Sequence, residues 1–445
     1  MNILRLQAAW LFSSTCFAAL LQVLQLAVLA RKLDSHQLGV LAIVNALLAI
    51  ATVLQDLGMS SYVVHRQTIS VREQSTVYWI NVIFSLVIGG ALILLAWPVA
   101  WFYHLSEMAG LVALTSLNFL VLGHLSQYQA YYVKAQRMIE LAKIEIVSKL
   151  FAFVCTLAMI YLASLKVSAV ILGLFINALS RTLLMMFLGE RTWRPSYEFD
   201  RGTAVSAMRY GFFQLGSQSI SQLRTQADSL IVGKLLGADT VGIYSLAKEL
   251  ILQPLKLILP VINRLSLPLF AQRQHDRAQT QQLFLRATFI TTLISSGLYL
   301  AIGVCSPIIA WLLYGNTWRD VYPLVPLMLL FGMLRPMSGL TGTISQANGR
   351  TNLEFYWNII ASSVMVVLFT TVAFYPNIHY VALLLSFTQL VISLLVHPVF
   401  IRPVTGISFL AYTRQWAPIT LLFIIIMLCV SYYDLHVMPE WFLRR

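Results

Sequence analysis

Charge is scarce along this chain. Asp, Glu, Lys and Arg make up only 11% of its 445 residues, whereas 59% are hydrophobic and the mean hydropathy is +0.77. Soluble domains carry roughly a quarter charged residues, so a conventional soluble catalytic domain is excluded. Cysteine is nearly absent: Cys16, Cys155, Cys305 and Cys429 lie far apart inside apolar stretches, with no metal-type or redox-type spacing. They read as small core residues. The sequence has no P-loop, no Gly-rich nucleotide loop and no Walker lysine, so it shows no energy source and calls for no cofactor or metal. The alternating polar and apolar strands of a membrane β-barrel are also missing.

What the chain has instead is a succession of apolar windows from Ala8 to Val430. A helix needs roughly 20 such residues to cross the hydrocarbon, and backbone in lipid must be satisfied within its own segment. The expected fold is therefore an all-α polytopic membrane protein. The first stretch, Ala8 to Ala30, is too long for a signal-peptide core and stays as a helix. Thirteen spans are expected: 8 to 30, 38 to 60, 76 to 101, 109 to 131, 143 to 164, 167 to 188, 211 to 233, 240 to 263, 287 to 310, 323 to 346, 353 to 375, 378 to 400 and 415 to 433. The net charge of +13 sits mostly at span ends and not in a basic aromatic patch, which points to membrane topology and away from nucleic acid. A cytoplasmic N-terminus gathers Arg66 with Arg72, Lys134 with Arg137 and Lys143, and Arg264 with Arg273, Arg277 and Arg286 on the inner side. Arg31 and Lys32 run against that rule, and Arg444 and Arg445 sit awkwardly outside if thirteen spans are correct.

The gap from Glu190 to Arg209 is longer and more charged than its neighbours. It reads as a cytoplasmic linker, 191–210, between six-helix lobes at 1–190 and 211–400, with a C-terminal segment, 401–445, holding an extra helix. Sliding the chain by 203 positions sets Arg31, Leu38, Gly39 and Leu41 against Lys234, Val241, Gly242 and Tyr244. A second echo pairs the turns Lys134-Ala-Gln-Arg-Met and Gln346-Ala-Asn-Gly-Arg. Six spans per half is an even number, so the copies share one orientation and relate by a pseudo-two-fold axis along the membrane normal. Two six-helix bundles facing a central cavity follow from that plan.

Three runs carry a family likeness: Leu26-Ala-Val-Leu-Ala-Arg-Lys-Leu, Leu38-Gly-Val-Leu-Ala and Asp56-Leu-Gly-Met-Ser-Ser-Tyr-Val-Val, with the counterpart Asp228-Ser-Leu-Ile-Val-Gly-Lys-Leu-Leu-Gly-Ala-Asp-Thr-Val-Gly-Ile-Tyr-Ser. The chain resembles the polysaccharide-biosynthesis, or O-antigen, flippases of the multidrug/oligosaccharidyl-lipid/polysaccharide exporter superfamily, to about position 400. The resemblance implies a transporter, not an enzyme, of the bacterial inner membrane. Such proteins move undecaprenyl-pyrophosphate-linked sugar repeats to the outer face for O-antigen, capsule or exopolysaccharide. Its partners are then the lipid-linked oligosaccharide and membrane lipid, with a polymerase and chain-length machinery as further candidates. Thirteen spans depart from the family's 12 or 14 and put the C-terminal topology in question.

Charges within the membrane are costly and usually face a wet interior or a partner. Arg224 and Asp228 stand four apart on one helical face, and Lys248, Glu249 and Lys256 mark the next span. With Arg181, Lys149 and Arg335 they outline a net cationic cavity, and guanidinium groups suit a diphosphate. Arg224, Lys248, Arg335 and Arg181 are the candidate diphosphate ligands; Asp228, Glu249 and Asp56 are the candidates for ion coupling. The alternative for each is a structural pair or a snorkelling side chain. Trp97, Trp101, Tyr131, Tyr132, Trp311, Trp318, Tyr356 and Trp357 read as interfacial belt residues. A drug/cation antiporter of the same superfamily is the nearest rival, though its cavity is expected to be acidic. A polytopic glycosyltransferase or ligase would need a sizeable outward loop, and those here are short.

Overall fold

The computed structural model describes residues 2–66, 68–188, 193–272, 276–347 and 351–437. Among these the regular structure is entirely helical. In chain order the α-helices are α1 (Asn2–Lys32), α2 (Ser35–Asp56), α3 (Met59–His65), α4 (Val71–Tyr103), α5 (Glu107–Thr115), α6 (Phe119–Lys134), α7 (Met138–Leu162), α8 (Val167–Leu188) and α9 (Arg201–Leu236). There follow α10 (Ala238–Gln272), α11 (Arg277–Tyr314), α12 (Leu324–Leu334), α13 (Met337–Ala347), α14 (Thr351–Thr370), α15 (Ile378–Val396), α16 (Arg402–Thr405) and α17 (Phe409–Val437). Eleven helical stretches among the described residues are long and apolar enough to cross a membrane. The chain is a multi-pass membrane protein. Two further expected spans lie inside α9 and α10, helices of 36 and 35 residues whose polar side chains dilute their hydropathy.

Local chemistry sets several helix starts. Asp34 caps α2 by accepting from the Gln37 N–H at 2.8 Å. Ser70 and Glu73 form a reciprocal capping box at the start of α4, with bonds of 3.2 and 2.7 Å. Asp276 caps α11 by accepting from the Gln279 N–H at 2.9 Å.

Three expected spans prove to be broken. The second ends at Asp56, where Leu57 and Gly58 both take left-handed φ values of 48° and 67°, and α3 continues from Met59. The fourth is interrupted by a 3-10 turn at Ser116–Asn118 between α5 and α6. The tenth is interrupted between Leu334 and Met337, where Pro336 lacks the N–H a continuous helix requires.

The chain divides into two compact units, Met1–Gln226 and Ala227–Arg445. In the first, α1 packs on α7, α7 on α8, and α6 on α4, α8 and α3. In the second, α10 packs on α12 and α13, α12 on α15 and α11, and α17, the additional helix, on α11. Tyr299 and Tyr314 tie α11 to α10 by donating to the carbonyls of Ile251 and Leu246 at 2.8 and 3.1 Å. Gly332 lets α12 approach: a Cβ there would lie 2.3 Å from the Tyr299 ring.

The stretch expected as a linker behaves differently from a tether. From Arg201 onward it is already helix, the beginning of α9. Ala204 and Ala207 are buried with Met59, Tyr62, Val63 and Val77 in the first unit. Gly211 extends this stripe, and a Cβ on it would meet the Leu57 carbonyl oxygen at 2.0 Å. Residues 193–200 lie along α4 as a strap. Trp79 Nε1 donates to the Ser196 carbonyl (2.9 Å), the Ser196 N–H to Ser75 Oγ (2.9 Å), the Asp200 N–H to Thr76 Oγ1 (2.8 Å), and Arg72 to the Phe199 carbonyl (3.0 Å). Trp193 is buried among Tyr78, Tyr128 and Tyr132. Small residues and backbone-pairing hydroxyls convert a charged gap into docked structure, a pattern that a count of charges does not register. Glu190 and Arg191 of the expected linker, Gly349 and Arg350 of the second turn, Arg273, and Arg444 with Arg445 lie outside the described residues.

The aromatic belt also needs revision. Trp97, Trp101, Trp311 and Tyr356 are exposed on the protein surface, as lipid-facing rings would be. Tyr132, Trp318 and Trp357 are buried and belong to the protein interior.

Candidate functional site

In the second unit the polar centre is built from α9, α10 and the break after α12. Asp228, 1% exposed, sits near the end of α9 and is held from three sides. Lys248 Nζ lies 2.6 Å from its Oδ2, the Tyr244 hydroxyl donates to the same oxygen at 2.7 Å, and the Ser229 N–H donates to Oδ1 at 2.8 Å. Tyr244 and Lys248 are one turn apart on α10, so a single helical face delivers both donors. Lys248 is itself only 8% exposed. Two opposite charges this deeply buried must be paired, because an isolated one carries a large desolvation cost.

Arg335 is the residue at which α12 stops. Its N–H still bonds the Phe331 carbonyl at 3.1 Å, and the Phe331 ring lies 5.7 Å beneath its guanidinium. Asp228 is the carboxylate whose charge reaches it. Asp228 is already matched by Lys248, so the trio carries one positive charge in excess, and that charge is on a half-buried guanidinium at a helix break. A guanidinium so placed presents paired donors suited to phosphate oxygens.

Glu249, beside Lys248 in sequence, faces along its own helix. It accepts from Gln253 Nε2 at 2.8 Å and pairs with Lys256 Nζ at 3.0 Å. Arg224 is half-buried on α9. In the first unit, Arg181 lies on α8 within reach of the charge of Glu145 on α7. Its Nε is shut from solvent without a hydrogen-bond partner among the described residues, as is Oδ1 of Asn177 one turn earlier. Asp56 closes α2 and accepts from Ser60 Oγ at 2.5 Å, and Ser60 also reaches the Ser126 carbonyl at 3.3 Å. The structure thus joins Asp228, Lys248 and Arg335, and leaves Glu249, Arg181 and Asp56 in separate settings.

Residue typing missed two contributors. Tyr244 stands opposite Leu41 in the internal echo, where nothing marks it as a partner of a buried carboxylate. Gln55, next to Asp56, has a buried Oε1 with no donor among the described residues. A polar side chain so close to an intramembrane carboxylate is itself a signal.

Comparison with known proteins agrees with this architecture. The chain matches the family described as "Polysaccharide biosynthesis protein" over residues 28–323. It is 59% identical over 386 residues to the amylovoran biosynthesis protein AmsL of Erwinia amylovora, covering 87% of this chain and all of that protein. It is 28% identical to the lipopolysaccharide biosynthesis protein WzxC of Escherichia coli K12, covering 92% of this chain and 84% of that one. Among solved structures, the lipid II flippase MurJ in an inward closed conformation superposes with a TM-score of 0.72 at 14% identity, covering 96% of this chain and 99% of that chain. An inward-facing multidrug resistance MATE transporter gives 0.70 at 14% identity, covering 93% and 96%. Those two likenesses establish a shared fold, while the family match and the 59% relative establish kinship: the chain belongs to the polysaccharide biosynthesis protein family.

Proposed function

We propose that this protein is a flippase, and not an enzyme, that carries undecaprenyl-pyrophosphate-linked oligosaccharide repeats from the cytoplasmic to the outer face of the bacterial inner membrane. The translocated repeat serves surface polysaccharide synthesis, a reading supported by relatives named for amylovoran biosynthesis and lipopolysaccharide biosynthesis. The observation that carries the reading is the excess positive charge of the Asp228, Lys248 and Arg335 group. A drug/cation antiporter needs the opposite sign, so the geometry favours an anionic headgroup.

Arg335 is the proposed diphosphate ligand of the second unit and Arg181 that of the first, with the N-terminus cytoplasmic. Alternating access to these cations needs no covalent step. Support for the repeat comes from helix boundaries: α1 ends at Lys32 and α2 starts at Ser35, and α9 ends at Leu236 and α10 starts at Ala238, close to the shift of 203 found in the sequence.

The test is complementation of a strain that lacks this protein but still makes the lipid-linked repeat. The intact protein should restore surface polymer, and Arg335→Ala, matched for membrane abundance, should leave the repeat on the cytoplasmic face. Failure of the intact protein to restore polymer would sink the proposal and make drug efflux the next assay.

A further inference from the structure

The break between α2 and α3 opens a cleft of about 560 Å³ inside the first unit, against α6. Its polar lining comes from Thr52, Gln55, Asp56, Ser60, Ser126 and Gln129, with aliphatic side chains between them. The two left-handed residues Leu57 and Gly58 create the space by turning the chain out of the helix. Three features restrict what can occupy it.

Among the described residues, no Lys or Arg lines the cleft. The nearby cations are engaged elsewhere: Lys134 donates to the carbonyls of Val63 and Arg66 at 2.9 and 2.6 Å, and Arg66 to the Tyr62 hydroxyl at 2.8 Å. A diphosphate would therefore enter against the Asp56 carboxylate with nothing to offset it. The cleft is also poorly suited to an alkyl chain. Gln55 is 2% exposed and its Oε1, closed to solvent, lacks a donor among the described residues; a polar occupant pairs it if the side chain turns toward the cleft, whereas an apolar one leaves it unpaired. Finally, amides and hydroxyls present donors and acceptors side by side, and the Asp56 carboxyl keeps acceptor capacity beyond its bond from Ser60. A pyranose has the complementary make-up, with hydroxyls that both donate and accept around an aliphatic C–H body. The volume falls within the range of about 300–1,000 Å³ usual for small-molecule sites.

We infer that this cleft is a carbohydrate subsite that takes one sugar residue of the transported repeat, with Gln55 at its back and Gln129 at its side. The inference rests on the flippase reading and adds to it a place where the glycan, as distinct from the diphosphate, is held. Gln55, turned toward the cleft, supplies the acceptor that a sugar hydroxyl satisfies, Gln129 an amide on α6, and Asp56 a further carboxyl acceptor.

The full-length protein in lipid nanodiscs is probed with the phosphate-free oligosaccharide repeat released from the surface polymer of the producing cells. Saturation transfer from protein to sugar is read by NMR. The expected result is transfer to the wild type and a roughly three- to tenfold loss with Gln55→Leu and with Gln129→Ala, the scale of one lost hydrogen bond. Gln129 is half-buried, so its variant guards against a folding defect at Gln55. Absence of transfer to a wild type that restores polymer in cells overturns the subsite and leaves the flippase reading standing. Equal transfer to wild type and both glutamine variants overturns it as well, since the sugar would then be bound elsewhere. A wild type that binds the sugar yet restores no polymer would instead strike at the flippase reading.

Discussion

Removing either partner of the Asp228–Lys248 pair should destabilise the protein far more than removing both. The pair is 2.6 Å apart and almost wholly buried, so Lys248→Met leaves a carboxylate with no counter-charge, at a cost of about 3–5 kcal/mol. Asp228→Leu leaves Lys248 uncompensated at similar cost and also strands the Tyr244 hydroxyl, adding about 1–3 kcal/mol. The double variant Asp228→Leu/Lys248→Met retains only the Tyr244 term, because both charges are gone and the net charge of the group is unchanged. Thermal unfolding of the purified protein in one detergent, followed by size-exclusion chromatography, reads the difference. With about 2–4 °C per kcal/mol for a unit of this size, each single variant should lose on the order of 10 °C in Tm and the double clearly less. A double variant whose loss equals the sum of the singles would refute the reasoning, since it would mean that both charges are solvated independently. The same double variant should keep measurable export, because Arg335 still carries the excess charge.

Other expectations test separate parts of the structure. Arg335→Ala should abolish most export while lowering Tm little, because its guanidinium pairs with no carboxylate at ion-pair distance among the described residues; complementation and unfolding measured on the same preparation decide it. Gly211→Val should loosen α9 from the α2–α3 break, since even a Cβ meets the Leu57 carbonyl oxygen, and overpacking of this kind costs about 1–3 kcal/mol, read as a lower Tm. Trp193→Ala should release the strap along α4 and speed proteolytic cutting between 193 and 200, with the rest of the first unit resistant. Hydrogen bonds from Thr203 hold the Asp200 carboxyl below its usual range, so its capping of α9 is fully present above the unfolded-state value and is lost as pH falls through the lower folded one. Protection of the first turn of α9, followed by amide exchange corrected for intrinsic rates, should therefore fall only in strong acid, and Asp200→Asn should remove that dependence.

The fate of the expected linker shows where sequence reasoning stopped. Charges and Pro195 mark residues 191–210 as a polar linker between lobes. Ser75 and Thr76 on α4 pair with backbone N–H groups of the strap, while Ala204, Ala207 and Gly211 present a flat stripe to α3. Both depend on partners more than 100 residues away. Pro336 could have been read as a break in the tenth span, whereas nothing local announces that Leu57 would adopt a left-handed turn.

By itself the sequence determined that this is an all-helical, multi-pass membrane protein, because the hydrocarbon imposes length and apolarity on each span and those are properties of contiguous residues. It also supplied the set of intramembrane charges, since such residues are rare enough to stand out. Only the tertiary structure decided which of them meet. Lys248 pairs with Asp228 because α10 presents Tyr244 and Lys248 on one face, and Arg335 stands where α12 ends before Pro336. Pairing in a low-dielectric interior depends on a few ångströms between helices, and that distance is set by the packing of residues such as Gly332 against Tyr299, which no single segment encodes.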